Sequence, residues 1–254
     1  MIKVQSAEAF VPGRAGMQFA GQAGFILQSE NGRRLAVDVY LSDCVERLEG
    51  HIGFKRLLPY IIRAEDLKAD YIVATHAHYD HFDYDSMKEM MDGGETRLFA
   101  SYGCRALAEE LGIQENLVKY VKEGDSFETE DFNISFSFCD HGAAAPDAVS
   151  VIIETAGKRI LMAGDTCLRR DKLPQIADLG PFDIVIGPIN GHFGNMNEAD
   201  FAEYVTYFRP QIAIPCHYGM FASHGGNPGA FWEIMRQQDK TLVYLMRQGE
   251  VILF

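Results

Sequence analysis

Short apolar runs, punctuated by glycine and by acids, set the rhythm of this chain. Tyr71-Ile72-Val73-Ala74, Phe182-Asp183-Ile184-Val185-Ile186-Gly187 and Ile212-Ala213-Ile214-Pro215 read as buried strands. Phe132-Asn133-Ile134-Ser135-Phe136-Ser137-Phe138 alternates strictly between apolar and polar, so one face of that strand is expected to be buried. Two hairpins are indicated: residues 24–27 and 34–38 flank Asn31-Gly32, and residues 149–155 and 159–162 flank Gly157-Lys158. Residues 97–100 make a further short strand. Helical character falls on residues 84–91, ended by Asp92-Gly93-Gly94, and on 102–111, closed by Gly112. A third helix is expected at 198–208, with Asn197 as a good N-cap and Pro210 beyond its end. Residues 41–70 read as irregular, with one short turn at Ala64-Glu65-Asp66-Leu67. This alternation predicts an α/β layered fold without solenoid repeats.

At 254 residues the chain can bury a substantial core, and motifs running from end to end favour one domain over 1–254. The net charge of −13 works against generic binding to nucleic acid or to an anionic membrane, because both need clustered Lys and Arg. No apolar run approaches a membrane span, and Met1-Ile2-Lys3-Val4-Gln5-Ser6 lacks the regions of a signal peptide, so a cytoplasmic location is expected. The cysteines, Cys44, Cys104, Cys139, Cys167 and Cys216, are odd in number and scattered. They indicate neither a disulfide framework nor a zinc knuckle, and each reads as a small buried residue.

The chemistry lies at the strand ends. Directly after Ala74 comes Thr75-His76-Ala77-His78-Tyr79-Asp80-His81-Phe82-Asp83, three histidines and two carboxylates in nine residues. In an extended loop alternate side chains point the same way, so His76 and His78 can converge on one ion. If the chain then turns into a helix, Asp80 and His81 project from its first turn toward a second ion. Imidazole and carboxylate donors suit zinc, manganese or iron better than calcium or magnesium. Three more strands end in the same way, at His141, Asp165 and His217. Four such endings in one layer suggest ligands gathered at a shared rim, with residues 41–70 wrapping toward it. Asp38, which ends the second strand of the first hairpin, reads either as a surface charge or as a brace for the metal loop.

In this order, Asp38, the H-x-H-x-D-H run of 76–81, His141, Gly164-Asp165 and His217 resemble the marks of metallo-β-lactamase superfamily hydrolases, and the resemblance covers the whole chain. It implies an αβ/βα four-layer sandwich, two mixed β-sheets face to face with outer helices. It also implies that His76, His78 and His141 hold one metal and Asp80, His81 and His217 another, with Asp165 bridging. The implied cofactors are two divalent transition metal ions, zinc or manganese with iron also suited. The implied nucleophile is a metal-bridging hydroxide, since coordination lowers the pKa of water from 15.7 to about 7 in favourable sites. Tyr40-Leu41-Ser42-Asp43, Arg56-Leu57-Leu58-Pro59, Gly194-Asn195-Met196-Asn197 and residues 214–221 are similar to the L-ascorbate-6-phosphate lactonase-like branch. That likeness implies a lactone or ester of a small, phosphorylated sugar acid. The presence of His141 departs from the founding lactonase, whose site is reduced. Substrate identity therefore does not transfer.

The rival enzymatic reading is a phosphodiesterase acting on a small nucleotide or phospholipid-like diester. The rival from another class is a non-catalytic metal-dependent sensor, against which the full set of seven ligands argues. The expected partner is a small anionic substrate, and there is room for a homo-oligomer. For proton transfer the candidates are Asp80 and two histidines in glycine-rich loops, His192 and His224. The hydroxyls of Tyr79 and Tyr218 are placed to stabilise an oxyanion, although packing is their commoner use. Arg169, Arg170 and Lys172 read either as an anion site or as a solvated helix start, and His51 as surface.

Overall fold

The structure, a computed structural model, describes residues 5–254 other than Asp92 and Asp239. Residues 1–4 and the Asp92 of the expected helix break thus lie outside the described residues. The first sheet is 8-stranded, in spatial order Gln5–Ala7, Val251–Leu253, Gly16–Gly21, Gly24–Gln28, Arg34–Val37, Tyr71–Ala74, Arg97–Ser101 and Val118–Val121. Its first five strands pair antiparallel and the rest parallel. The second is 7-stranded: Leu242–Val243, Ile212–Cys216, Ile184–Pro188, Lys158–Met162, Val149–Thr155, Asn133–Phe138 and Ser126–Glu128. Its first four strands pair parallel and the rest antiparallel. Both sheets are mixed, as expected.

Side-chain alternation along the strands explains the layers. Leu35, Val37 and Val73 of the first sheet and Val151, Ile153, Ile184, Ile186, Ile212 and Ile214 of the second share one core between the sheets. The intervening Ala36, Ile72 and Ala74 face outward onto Met87, Met90 and Ala108, while Ile152, Val185 and Ala213 face outward onto Phe201, Val205, Phe231 and Met235. A period-2 pattern that is apolar on both faces demands cover on both faces. Helices supply it on either side, giving the αβ/βα sandwich. The strict alternation of residues 132–138 holds through Phe136. Beyond it Ser137 is buried and Phe138 joins the outer cluster.

Helix Glu198–Phe208 has the expected boundaries, with Asn197 and Asp200 forming a reciprocal capping box. Other helices differ from expectation. Residues 84–91 are helical only over Met87–Met90. Within 41–70 the chain forms the helix Cys44–Glu49, which sequence reasoning did not find. Nor did it find Pro228–Gln238, which packs Phe231 onto Phe201 with ring centroids 4.9 Å apart. Among the described residues no helix is long and apolar enough to cross a membrane.

The consequence for function is a shared edge. Parallel pairing brings the C-terminal ends of Arg34–Val37 and Tyr71–Ala74 to one rim of the first sheet, and those of Lys158–Met162, Ile184–Pro188 and Ile212–Cys216 to one rim of the second. Backbone bonds tie the rims together: Val149 N–H donates to the Thr75 carbonyl at 3.2 Å, and His217 N–H to the Gln22 carbonyl at 2.7 Å.

Candidate metal centre

The loop after Ala74 does not enter a helix at Asp80, so the condition set for that placement is not met. It makes one isolated turn, in which His81 and Phe82 both donate to the His78 carbonyl, at 3.0 and 2.8 Å. Phe82 is fully buried and Asp83 anchors the turn beneath, accepting from Leu41 N–H at 2.7 Å and from the Ser42 hydroxyl. That turn still projects Asp80 and His81 toward the rim.

There the donors converge. His78 Nδ1 lies 3.0 Å from His76 Nε2 and 3.1 Å from His141 Nε2. Asp165 Oδ2 lies 3.7 Å from His141 Nε2 on one side and 3.0 Å from His217 Nε2 on the other. Asp80 Oδ2 lies 3.4 Å from His217 Nε2 and 3.7 Å from His81 Nε2. Three sets of donors fall within 4.8 Å of one another: His76, His78 and His141; His76, His81 and Asp165; Asp80, His217 and His224. All seven predicted ligands are therefore brought together, Asp165 stands between the two ends of the cluster, and His224 joins them. Gly164 permits this placement of Asp165. Its φ is +66°, and a Cβ there would lie 3.1 Å from the Val149 carbonyl.

A divalent cation fits this donor set. Among the described residues the buried His81 Nε2 and Asp165 Oδ1 have no hydrogen-bond partner and only face each other at 3.4 Å, an arrangement that is costly unless a further group satisfies them. The other nitrogen of His81 shows why Nε2 is aimed inward. Its Nδ1 meets Asp38 Oδ2 at 2.8 Å, and Asp38 in turn accepts from Thr75 N–H at 2.8 Å and Thr75 Oγ1 at 2.7 Å. A carboxylate acceptor at Nδ1 selects the tautomer whose Nε2 faces inward. Asp38 is thus the buried brace, only 2% exposed, and the surface alternative is excluded.

The charges are coupled. Burial pushes the Asp80 and Asp165 carboxyls up, but His81 and His217 beside them prevail and hold both well below the usual carboxylate range. Burial lowers the His217 imidazole, but Asp165 outweighs it and raises it to about 9. Burial also lowers His141 and His224, each to about 4.

Around the donors lies an aromatic wall. His224 is 5.0 Å from His217, 5.2 Å from Phe54, 5.2 Å from Phe193 and 5.1 Å from Phe221, measured between ring centroids. Phe193 is exposed and has φ +57°, strained for a bulky side chain, on the loop whose Asn195 donates to Asp165 Oδ2 at 2.9 Å. His192 is exposed at the edge of that loop, where a Cβ on Gly225 would lie 3.2 Å from its ring. Tyr79 and Tyr218 are half-buried against neighbouring apolar clusters, and burial pushes the Tyr218 hydroxyl up to about 12. The basic run is engaged: Arg169 pairs with Asp140 at 2.6 Å and with Asp171 at 3.0 Å, and Arg170 with Glu203 at 2.5 Å. Its reading as an anion site is not supported. His51 is exposed, and the cysteines are all unpaired.

Two residues of the centre escaped sequence reasoning. Asn195 lies in the Gly194–Asn197 run that carries part of the lactonase-like resemblance, but nothing in the sequence marked it as a partner of Asp165. Gln22 occupies the turn between Gly21 and Gly24, yet it is fully buried and its Nε2 donates to Asp80 Oδ2 at 2.8 Å.

Known proteins resemble this chain over most of its length. A metal-dependent hydrolase of Staphylococcus carnosus is 26% identical over 94% of this chain and 99% of its own length. One of Thermofilum pendens is 26% identical over 94% and 98%. The structure of a metallo hydrolase from the archaeon Ignicoccus hospitalis superposes with a TM-score of 0.73 at 22% identity, over 94% of this chain and 98% of that one, a likeness that speaks for the fold alone. The beta-lactamase superfamily domain matches residues 38–218, from the Asp38 brace to the residue after His217. The chain belongs to the beta-lactamase superfamily.

Proposed function

We propose that this protein is a metal-dependent hydrolase that opens a lactone or ester of a small organic acid. The observation that carries the reading is the meeting of His76, His78 and His141 nitrogens within 3.1 Å contacts at one end of Asp165, with Asp80, His81 and His217 at the other. In this reading the first three hold one divalent transition metal and the second three another, with Asp165 serving both. Zinc and manganese are the proposed ions, iron being suited to the same donors. When bound, such ions acidify water toward neutrality and polarise a carbonyl oxygen.

The chain's own residues do the rest. Asp38 keeps a proton on His81 Nδ1 and so keeps Nε2 free to donate its lone pair. Asn195 fixes the rotation of Asp165 by donating to Oδ2. His224, which burial lowers to about 4 and so leaves neutral at pH 7, stands beside Asp80 and His217, where it can accept a proton and would need to gain one before giving it to a leaving alkoxide. Phe54, Phe193 and Phe221 give that side an apolar wall. The sugar-acid class rests on the lactonase-like resemblance alone. A substrate phosphate at the basic run would find Arg169 and Arg170 already paired.

The test is a lactone and ester panel assayed before and after chelation, with metal content measured in parallel. Hydrolysis that disappears with the metal and returns on its addition supports the reading. Hydrolysis that survives complete metal removal refutes it.

A further inference from the structure

Gln22 stands in a backbone conformation that its residue type does not favour. Its φ is +54°, in the left-handed region where glycine or asparagine would be at ease. A turn alone gives no reason for glutamine there, so the side chain must supply the reason. That side chain is fully buried and aimed into the metal centre. Its Nε2 donates to Asp80 Oδ2 at 2.8 Å and lies 3.1 Å from His217 Nε2 and 3.4 Å from His217 Nδ1. Being nearly equidistant from the two ring nitrogens, the amide lies across the imidazole, and its directional bond is the one to Asp80. The other end, Oε1, is buried and has no hydrogen-bond partner among the described residues.

The backbone repeats the connection. His217 N–H donates to the Gln22 carbonyl at 2.7 Å, and His217 itself has φ +59°. Gly21 makes room for the turn, since a Cβ there would lie 2.7 Å from Met220 Cε and 2.8 Å from Gln248 Nε2. Gln22 therefore touches Asp80, on the rim of its own sheet, through its side chain, and His217, at the end of Ile212–Cys216 in the other sheet, through main chain and side chain. A buried orphan acceptor and a strained backbone persist only where the surroundings over-determine them, and such features gather at functional sites.

We propose that Gln22 is a positioning residue for the ion-binding position built from Asp80 and His217, and that its carboxamide sets how tightly that position holds a divalent cation. The proposal rests on the two-metal reading and goes beyond it. Seven side chains suffice to name the ligands, but Gln22 fixes the orientation of two of them. It predicts that the two ions respond differently to one substitution.

The experiment is a Zn²⁺ titration of the metal-free, full-length protein against a chromophoric chelator, together with the thermal midpoint of the metal-free form. Gln22→Gly removes the side chain and relieves the turn. Gln22→Asn tolerates the same backbone and keeps an amide that is one methylene too short to reach Asp80, so it carries the test if the glycine variant folds poorly. Both variants are expected to weaken one Zn²⁺ equivalent by about 10- to 100-fold, the usual effect of losing a group that orients a ligand, and to leave the other equivalent unchanged. The metal-free midpoint of Gln22→Gly should be no lower than that of the parent. Binding of both equivalents as in the parent overturns the proposal, and so does equal weakening of both, which would mark Gln22 as general packing. A parent protein that binds no Zn²⁺ overturns the metal reading itself, a distinct result.

Discussion

The Asp38 carboxylate and the His81 imidazole meet at 2.8 Å, both sealed from solvent, with Thr75 holding the carboxylate from behind. The orientation of His81 is thus decided outside the donor cluster, on the neighbouring strand. Asp38→Ala removes the acceptor that sets the tautomer and also places alanine at φ +49°. Asp38→Asn keeps a residue that tolerates that backbone. Both should weaken metal binding by about 10- to 100-fold, as read by chelator competition. Only the alanine variant should also lose thermal stability in the metal-free form.

His224 separates two roles. If it handles a proton, His224→Gln lowers kcat by about 100- to 10,000-fold at unchanged metal content. A fall in bound metal instead would place it among the ligands, as its proximity to Asp80 and His217 also allows. Metal analysis and steady-state kinetics on the same preparation decide between them.

The inner face of the Glu198–Phe208 helix predicts a stability defect remote from the chemistry. A Cβ on Gly187 would lie 2.5 Å from Cε2 of Phe201, whose ring is buried and stacked on Phe231. Gly187→Ala should cost about 1–3 kcal/mol of unfolding free energy by overpacking, measurable by urea denaturation. A neutral effect would contradict this packing.

Stability of the metal-free protein should peak near neutrality. His217 is raised from 6.5 to about 9, so its contribution is complete below pH 6.5 and is lost as pH rises through 9. His141 is lowered to about 4, so below pH 6.5 the unfolded chain takes up a proton that the folded one refuses, and stability falls toward pH 4. Thermal midpoints across pH 4 to 9, with and without added metal, check this. Bound metal should flatten the alkaline limb, because His217 then holds an ion in place of a proton.

Much of the centre could be read from the chain because a buried strand must end, and a polar residue stands out where an apolar run stops. His76, His141, Asp165 and His217 all announce themselves in that way. Asp38 stayed ambiguous, since a strand-end carboxylate looks the same whether it faces water or an imidazole. Gln22 left no signal, because a polar residue between two glycines is what any hairpin turn contains. Only its left-handed backbone marks it out, and that is a fact of the fold. The helix Cys44–Glu49 lacks a side-chain cap and spans six residues, too short for its periodicity to declare itself. The helix Pro228–Gln238, by contrast, carries proline at its first position and buries Phe231 and Met235 four residues apart, signals strong enough to have found it. The turn at 78–82 defeats a helix assignment because Asp83 is drawn down to Leu41 and Ser42.

The central claim is that Asp165 serves two ions on which hydrolysis depends. The most direct measurement is metal stoichiometry and ester or lactone turnover in the parent and in Asp165→Asn. Two divalent ions per chain in the parent, with loss of bound metal and of turnover in the variant, are the predicted result. Unchanged turnover in Asp165→Asn, or a parent protein that hydrolyses these substrates without bound metal, would contradict it.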